Sequence, residues 1–281
     1  MKTAVLVTHT YPDAATEAVA EAARVAREYS VELVASPDER RKHGEAVTDL
    51  EQVEEMPKRP EVCLVLGGDG SILYALRHYA GTGVPVFGVN FGTVGFLAAV
   101  EREQLGDGLR RAFTGDFEVM DLPGLEAEVG DGPPVALNDV SLLRRPEGRV
   151  AELSYRIADE EVGKVRCDGL VAATPAGSTG YNLANGGPIL AWGVKGYVVS
   201  FIAPHTLTTR ALVVAPMDAL HVGNAAGREP VELSLDGEAS GVLEPGEEVE
   251  IRFREGVGSL AQLPGANFYH RIREKFGRLA Q

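Results

Sequence analysis

A carboxylate set among glycines is the first group in this 281-residue chain that could do chemistry. In Val62–Leu73, VCLVLGGDGSIL, an apolar run stops at Gly67, Gly68, Asp69 and Gly70, and a helix-like pattern resumes behind it. Glycine lets a ligand approach the backbone with no Cβ in the way. The amides around Gly68–Ser71 precede a helix, where N–H groups and the positive dipole end attract an anion such as phosphate. Asp69 is then a turn former, a bystander beside a phosphate cradle, or a catalytic carboxylate. Two familiar phosphate fingerprints are excluded. No lysine lies between Glu61 and Gly83, as G-x-x-x-x-G-K-[ST] requires, and Gly67, Gly68 and Gly70 are misspaced for G-x-G-x-x-G.

Two more constellations carry polar groups where apolar ones would be expected. VALNDVSLL (135–143) places Asn138 and Asp139 in an otherwise apolar strand. A buried pair of this kind must find hydrogen-bond partners, which adjacent ribose hydroxyls would supply; a solvated bulge or edge position is the alternative. RCDGLVAATPAGSTGYNLANGGPIL (166–190) runs from an acidic-Gly step into small and hydroxyl residues, Thr174–Gly180, and ends at Tyr181. Such a loop suits a flat polar ligand such as a base, with an aromatic ring beside it. Phe96, in GTVGFL, is either an apolar wall of that site or core packing. His205, alone in an apolar run, reads as a satisfied buried group.

The elements that position these residues change character along the chain. TAVLVT (3–8), VELVA (31–35), VCLVL (62–66) and VPVFGV (84–89) are short apolar strands. Helical spacing appears in AATEAVAEAARVAREY behind an Asp13 N-cap, in Ser71–Tyr79 and near Gln104–Phe113. Alternating strands and helices imply parallel βαβ units, with residues 36–60 a polar loop holding at most a short helix. After about residue 116 come short alternating segments separated by turns such as GDGPP and EPGEE, which predict a β-rich domain. ANFYHRIREKFGRLA is helical again, and its Phe268, Ile272, Phe276 spacing needs a surface to cover. The expected division is 1–116, 117–264 and a terminal helix within 265–281.

A formal net charge of −14 argues against nucleic acid or anionic lipid as a partner, so an anionic ligand must be met locally. No stretch approaches the roughly 20 apolar residues of a membrane span, and the N-terminal apolar run is too short for a signal segment. Cys63 and Cys167 read as buried free thiols of a cytoplasmic protein.

Taken together, the GGDG turn, the Asn-acid pair and the long DG…TPxGSTxY…GGP motif resemble the NAD kinase family. GVNFGTVGFLA (88–98) and IAPHTLTTRALVV (202–214) match its flanking motifs, in order and at family-like spacing. The resemblance implies a Rossmann-like α/β N-terminal domain and a β-sandwich-like C-terminal domain, with the chain end returning to the first. It implies transfer of the terminal phosphoryl of ATP, or of polyphosphate, to the adenosine 2′-hydroxyl of NAD. A divalent cation, usually Mg2+, and a homodimer or homotetramer come with it; the sequence singles out no metal ligands. Carried over residue by residue, Asp69 is the base towards the 2′-hydroxyl and also contacts NAD with Gly70, while Gly67, Gly68 and Gly70 hold the donor phosphates. Asn138 and Asp139 bind the adenosine ribose, Asp139 standing where Glu is usual. Thr179, Gly180, Tyr181, Asn182, Leu183 and Ala184 line the adenine site, Gly180 replacing a common Ala. Arg166 and Asp168 reach the rest of the dinucleotide, and Glu238 stands where the family has a ligand-contacting glutamine. Arg210 keeps the family's arginine, followed by Ala211 in place of proline. Competing readings are a lipid kinase, which shares the GGDG turn without the long motif, and a non-catalytic NAD-binding regulator.

Overall fold

Apolar residues at consecutive positions, rather than alternating ones, predict strands covered on both faces, and Ala4–Val7, Val62–Leu66 and Val86–Val89 are buried throughout. The computed structural model describes residues 2–9, 15–43, 50–93, 95–128, 134–146, 148–225 and 229–277. These form two compact units: residues 1–121 with 258–281, and residues 122–257.

In the first unit the parallel strands lie in the order Val86–Asn90, Val62–Gly67, Lys2–Thr8, Val31–Ala35, Glu51–Gln52. The chain therefore builds outward from Lys2–Thr8 in one direction, returns, and builds outward in the other from Val62–Gly67. Between those two strands the order reverses, and the carboxyl ends diverge into a crevice. The helix Thr16–Glu28 buries Val19, Ala22, Ala23 and Ala26 in the core beneath this sheet. Its expected cap, Asp13, lies outside the described residues, and Ala15 occupies the N-cap. Within 36–60 there is a helix, Pro37–His43, and the two-residue strand Glu51–Gln52.

The second unit is two antiparallel sheets sharing one core. The first sheet runs Leu212–Val214, Tyr197–Ile202, Gly169–Ala173, Asp139–Arg144, Val231–Leu235, Glu238–Leu243. Glu160–Cys167, Ala151–Ile157, Leu220–Asn224 and the start of Glu248–Gln262 form the second. Leu142, Leu170, Val199 and Leu233 of one meet Leu153, Val222, Val249 and Ile251 of the other. The chain as a whole is thus an α/β unit and a β-sandwich. Cys63 and Cys167 are free and buried, and burial raises both thiols' pKa, that of Cys167 to about 12.

Three sequence expectations need correction. The helix behind the glycine turn starts at Asp69, not Ser71, because Gly68 is extended (φ −91°, ψ −174°) and serves as the N-cap. VALNDVSLL is two strands, Val135–Ala136 and Asp139–Arg144, broken at Leu137–Asn138. His205 is exposed and lies beyond the strand Tyr197–Ile202, so it is no buried core histidine. One strand end went unread: Glu248–Gln262 extends through GVGSLAQ, and its Leu260 pairs in parallel with Val86 in the first unit.

Candidate active site

The first unit places the glycine turn at the carboxyl end of Val62–Gly67, beside the reversal of strand order. Its glycines answer to close packing. A Cβ on Gly67 would stand 2.6 Å from Ser71 Oγ, and one on Gly92 would stand 2.9 Å from Gly68 Cα. Gly70 differs: nothing lies within 4 Å of where its Cβ would be. Its φ is also not among the positive values, so neither sterics nor backbone conformation within the chain demands glycine there.

Asp69 is half-buried and already engaged. Its Oδ2 accepts the Phe96 N–H at 2.8 Å and its Oδ1 the Leu97 N–H at 2.9 Å. A carboxylate has about four lone-pair directions, so each oxygen retains capacity for a hydroxyl. The same loop is held from its carbonyl side. Arg271 Nη1 donates to Phe96 O (2.5 Å) and Ala98 O (2.6 Å), while Gln262 Nε2 donates to Leu97 O (3.0 Å). Arg271 Nη2 in turn donates to Gln262 Oε1 at 2.5 Å. Burial lowers the Arg271 pKa, against the pull of Asp69, Glu101 and Glu274, and guanidinium remains charged. Phe96 is buried with its ring 5.3 Å from that of Phe276, so its backbone serves Asp69 while its side chain packs. Sequence reading missed Arg271 and Gln262, which lie over 160 residues from the loop they hold.

In the second unit Asn138 and Asp139 sit at the break between two strands, and a third acid explains how. Asp236 Oδ2 accepts Leu137 N at 2.9 Å; Oδ1 accepts Asn138 N at 2.7 Å and Asp139 N at 3.1 Å. Asp236 and Gly237 both have positive φ (51° and 79°), the turn chemistry of a tight Asp-Gly hairpin. That hairpin delivers a carboxylate to the backbone of Leu137, Asn138 and Asp139. Burial, with the nearby Asp236 charge, pushes the Asp139 carboxyl up to about 7.

The loop after Gly169–Ala173 closes on the same segment. Thr174 Oγ1 donates to Leu137 O at 2.7 Å and accepts Gly177 N at 3.1 Å. Gly177 stands so close that a Cβ would fall 2.0 Å from Asn138 O, which requires glycine. Ser178 Oγ donates to Pro175 O and accepts Leu190 N at 2.9 Å. Asn182 is fully buried and bridges Ser178 O and Pro188 O through Nδ2, so it ties the loop together from inside. Thr179 and Leu183 are half-buried; Gly180, Ala184 and Tyr181 are exposed, Tyr181 by 39%. Burial raises the Tyr181 pKa first, and the Asp139 and Asp168 charges add to it. Thr174→Val should cost about 2 kcal/mol, because it keeps the shape and leaves a buried carbonyl and N–H unpaired; urea unfolding measures it.

Asp168 joins the two sheets of the sandwich, between Glu160–Cys167 and Gly169–Ala173. It is paired with Arg144, whose Nε lies 2.6 Å from Asp168 Oδ1. Arg144 was absent from the sequence reading, although Asp168, whose carbonyl also accepts the Arg144 N–H at 3.0 Å, was present. Arg166 is exposed and its carbonyl accepts His205 N at 2.7 Å. Glu238 is exposed at the start of the strand that follows the Asp236–Gly237 turn. Among the described residues no three His, Cys, Asp or Glu side chains converge on a metal site.

Comparison with known proteins matches both units. Residues 5–117 fit the ATP-NAD kinase N-terminal domain and residues 137–260 the ATP-NAD kinase C-terminal domain. An NAD kinase of Symbiobacterium thermophilum is 37% identical over 220 residues, covering 76% of this chain and 78% of that protein. One of Carboxydothermus hydrogenoformans is 31% identical over 234 residues, 82% and 84% of the two chains. In fold the chain is similar to yeast NADH kinase complexed with NADH (TM-score 0.84, 22% identity, 100% and 90% covered). It is likewise similar to an Archaeoglobus fulgidus NAD kinase in complex with ATP (TM-score 0.73, 24% identity, 99% and 98% covered).

Proposed function

This chain belongs to the NAD kinase family, and on that premise we propose how its own residues move the terminal phosphoryl of ATP to the adenosine 2′-hydroxyl of NAD. The observation that carries the reading is Asp69: a carboxylate at the reversal of strand order, fixed through both oxygens and one residue from an unobstructed glycine.

Asp69 accepts a hydrogen bond from the 2′-hydroxyl and takes its proton as the new O–P bond to the γ-phosphorus forms. The bond from that phosphorus to the bridging oxygen breaks, ADP leaving with the electron pair. An aspartate is a weak base for a ribose hydroxyl, so its larger contribution is to hold the attacking oxygen in line. Donor phosphates lie on the backbone of Gly67, Gly68 and Gly70 at the start of the helix Asp69–His78, where dipole and N–H groups offset their charge. Asn138 and Asp139, set by Asp236, bind the ribose; residues 179–184 receive adenine, with Tyr181 as the ring beside it. Asp168, oriented by Arg144, and Arg166 take the remainder of the dinucleotide, and Glu238 takes the place of the family's ligand-contacting glutamine. A divalent cation bound in this chemistry would neutralise phosphate charge. Leu212 and Val213 are exposed on the edge strand of the first sandwich sheet, and Leu207 is exposed in the segment before it, which supports self-association into a dimer or tetramer. Two buried free thiols support a reducing, cytoplasmic place.

The reading is tested by incubating the protein with NAD, ATP and Mg2+ and measuring NADP. Failure to form it, with bound NAD demonstrable, would favour the non-catalytic regulator; phosphorylation only of lipids would favour the lipid kinase. Gly70→Ala adds a sharper expectation. It meets no atom of the chain and raises helix propensity by up to about 1 kcal/mol, so the melting temperature should hold or rise. The methyl projects where donor phosphate would lie, so KM for ATP should rise about tenfold or more.

A further inference from the structure

The last helix reaches the loop around Asp69 through one arginine. Asn267 caps Phe268–Phe276, its side chain accepting Tyr269 N at 2.8 Å, and Ile272 is buried beneath it. Arg271 and Lys275 stand at i and i+4, so one face of the helix presents both cations. Each tethers a different part of the segment that follows Val86–Asn90, and all of these residues belong to the first unit. Lys275 Nζ lies 2.7 Å from Glu101 Oε1, and Glu101 Oε2 accepts Asn90 Nδ2 at 2.6 Å. Arg271 instead holds the carbonyls of Phe96 and Ala98 directly and, through Gln262, that of Leu97.

The peptide unit joining Phe96 to Leu97 has an opposite charge at each end. Its carbonyl accepts from Arg271 Nη1 at 2.5 Å, and its N–H donates to Asp69 Oδ1 at 2.9 Å. A guanidinium on the carbonyl strengthens the donor at the other end, since hydrogen bonds in a chain polarise one another. It also resists rotation of the unit, which would turn the N–H away from the carboxylate. Burial lowers the Arg271 pKa, and among the carboxylates that oppose it Asp69 acts most strongly. Arginine's planar fork offers Nη1 to two carbonyls while Nη2 meets a third group, here Gln262 Oε1. For docking alone, the apolar contacts of Ile272 and Phe276 would serve.

We propose that Arg271 is a positioning residue for the transfer: through the Phe96–Leu97 peptide it sets the direction in which Asp69 faces the attacking hydroxyl. The proposal rests on the kinase reading and adds to it a residue outside the glycine turn and the long motif. Its effect falls on turnover, because the group it orients is the base. A misplacement of about 1 Å can cost about a hundredfold in rate. A loosened Asp69 should therefore lower kcat by about ten- to a hundredfold, with KM for NAD and for ATP held within about twofold.

The test uses the full-length protein, NADP formation followed by enzymatic cycling, and amide hydrogen exchange at Phe96 and Leu97. Arg271→Met should show that split between kcat and KM and speed exchange at both amides by about tenfold. In an Asp69→Asn background the same change should lower kcat by less than about threefold, since contacts in one network are not additive. Arg271→Lys keeps the charge and loses the fork; it should show the same split in smaller measure and serves if the methionine variant fails to fold. Lys275→Met removes the other tether, and should lower the melting temperature with kcat held within about twofold. Equal losses of kcat from Arg271→Met in the two backgrounds overturn the proposal. So does a loss from Lys275→Met that matches it, or unchanged exchange at Phe96 and Leu97. A wild-type protein that forms no NADP sinks the kinase reading instead, and the exchange rates still decide whether Arg271 holds the peptide against Asp69.

Discussion

Asp69→Asn should lower kcat for NADP formation by about 10²–10⁴-fold, the usual contribution of a general base, while NAD still binds. The geometry makes the substitution less innocent than its isosteric shape suggests. Both Asp69 oxygens accept backbone N–H groups, from Phe96 and Leu97. An asparagine can keep only one of those bonds, and its NH2 would then face the other N–H. The loop loses one anchor, at a cost of about 1–3 kcal/mol, so a fall in melting temperature accompanies the loss of turnover. Arg271 and Gln262 still hold the loop from the carbonyl side, and the protein should remain folded. Steady-state kinetics, calorimetric titration with NAD and thermal unfolding separate the three effects. Near-normal kcat with a lowered melting temperature would reduce Asp69 to a structural anchor for residues 96 and 97.

The second large effect is a fold whose stability titrates near neutrality through Asp139. Its carboxyl is raised from 3.8 to about 7 by burial and by Asp236. The folded protein therefore keeps this proton to higher pH than the unfolded chain does. The carboxyl favours folding fully below pH 3.8, and that contribution is lost as pH rises through about 7. The whole shift is on the order of 4 kcal/mol, and about 2.5 kcal/mol of it falls between pH 5 and pH 8. Binding should move the other way, since only the ionised form accepts hydrogen bonds through both oxygens from ribose hydroxyls. Stability falls and kcat/KM for NAD rises across one window. Asp139→Asn should abolish both slopes. Urea unfolding at pH 5 and pH 8, with kcat/KM profiles for both proteins, measures this; an unchanged stability slope in the variant would assign it to other groups.

What could be read from the sequence divides by the distance over which the responsible contact acts. Consecutive apolar residues in Val62–Leu66 announce a covered strand, and glycines after it announce a turn, because both signals are local. The motif 174–190 was legible for the same reason: Thr174, Gly177, Ser178 and Asn182 bond within one loop and its neighbour strand. The reversal of strand order was not legible, since it depends on which strands pair. Nor was Asp236, which reads as an ordinary Asp-Gly turn former until the hairpin brings it to Asn138 and Asp139, about 100 residues away. His205 was misjudged because apolar neighbours in sequence were taken for apolar neighbours in space; the strand ends at Ile202, before reaching it. Gly256 and Gly258 hid the continuation of Glu248–Gln262, and with it the part of that strand that joins the first unit.

That late strand and the helix behind it bear on synthesis as well as on catalysis. Domains tend to fold as units while the chain emerges, N-terminal first. Here the first unit cannot be completed in that way, because Leu260, Gln262 and Arg271 belong to it and are made after the whole sandwich. A nascent or prematurely terminated chain can own Asp69, its glycines and an open crevice, yet lack both side chains that grip Phe96–Ala98 from behind. The carboxylate would then be present without its fixed bearing, so competence arrives only once the segment through Arg271 has been made.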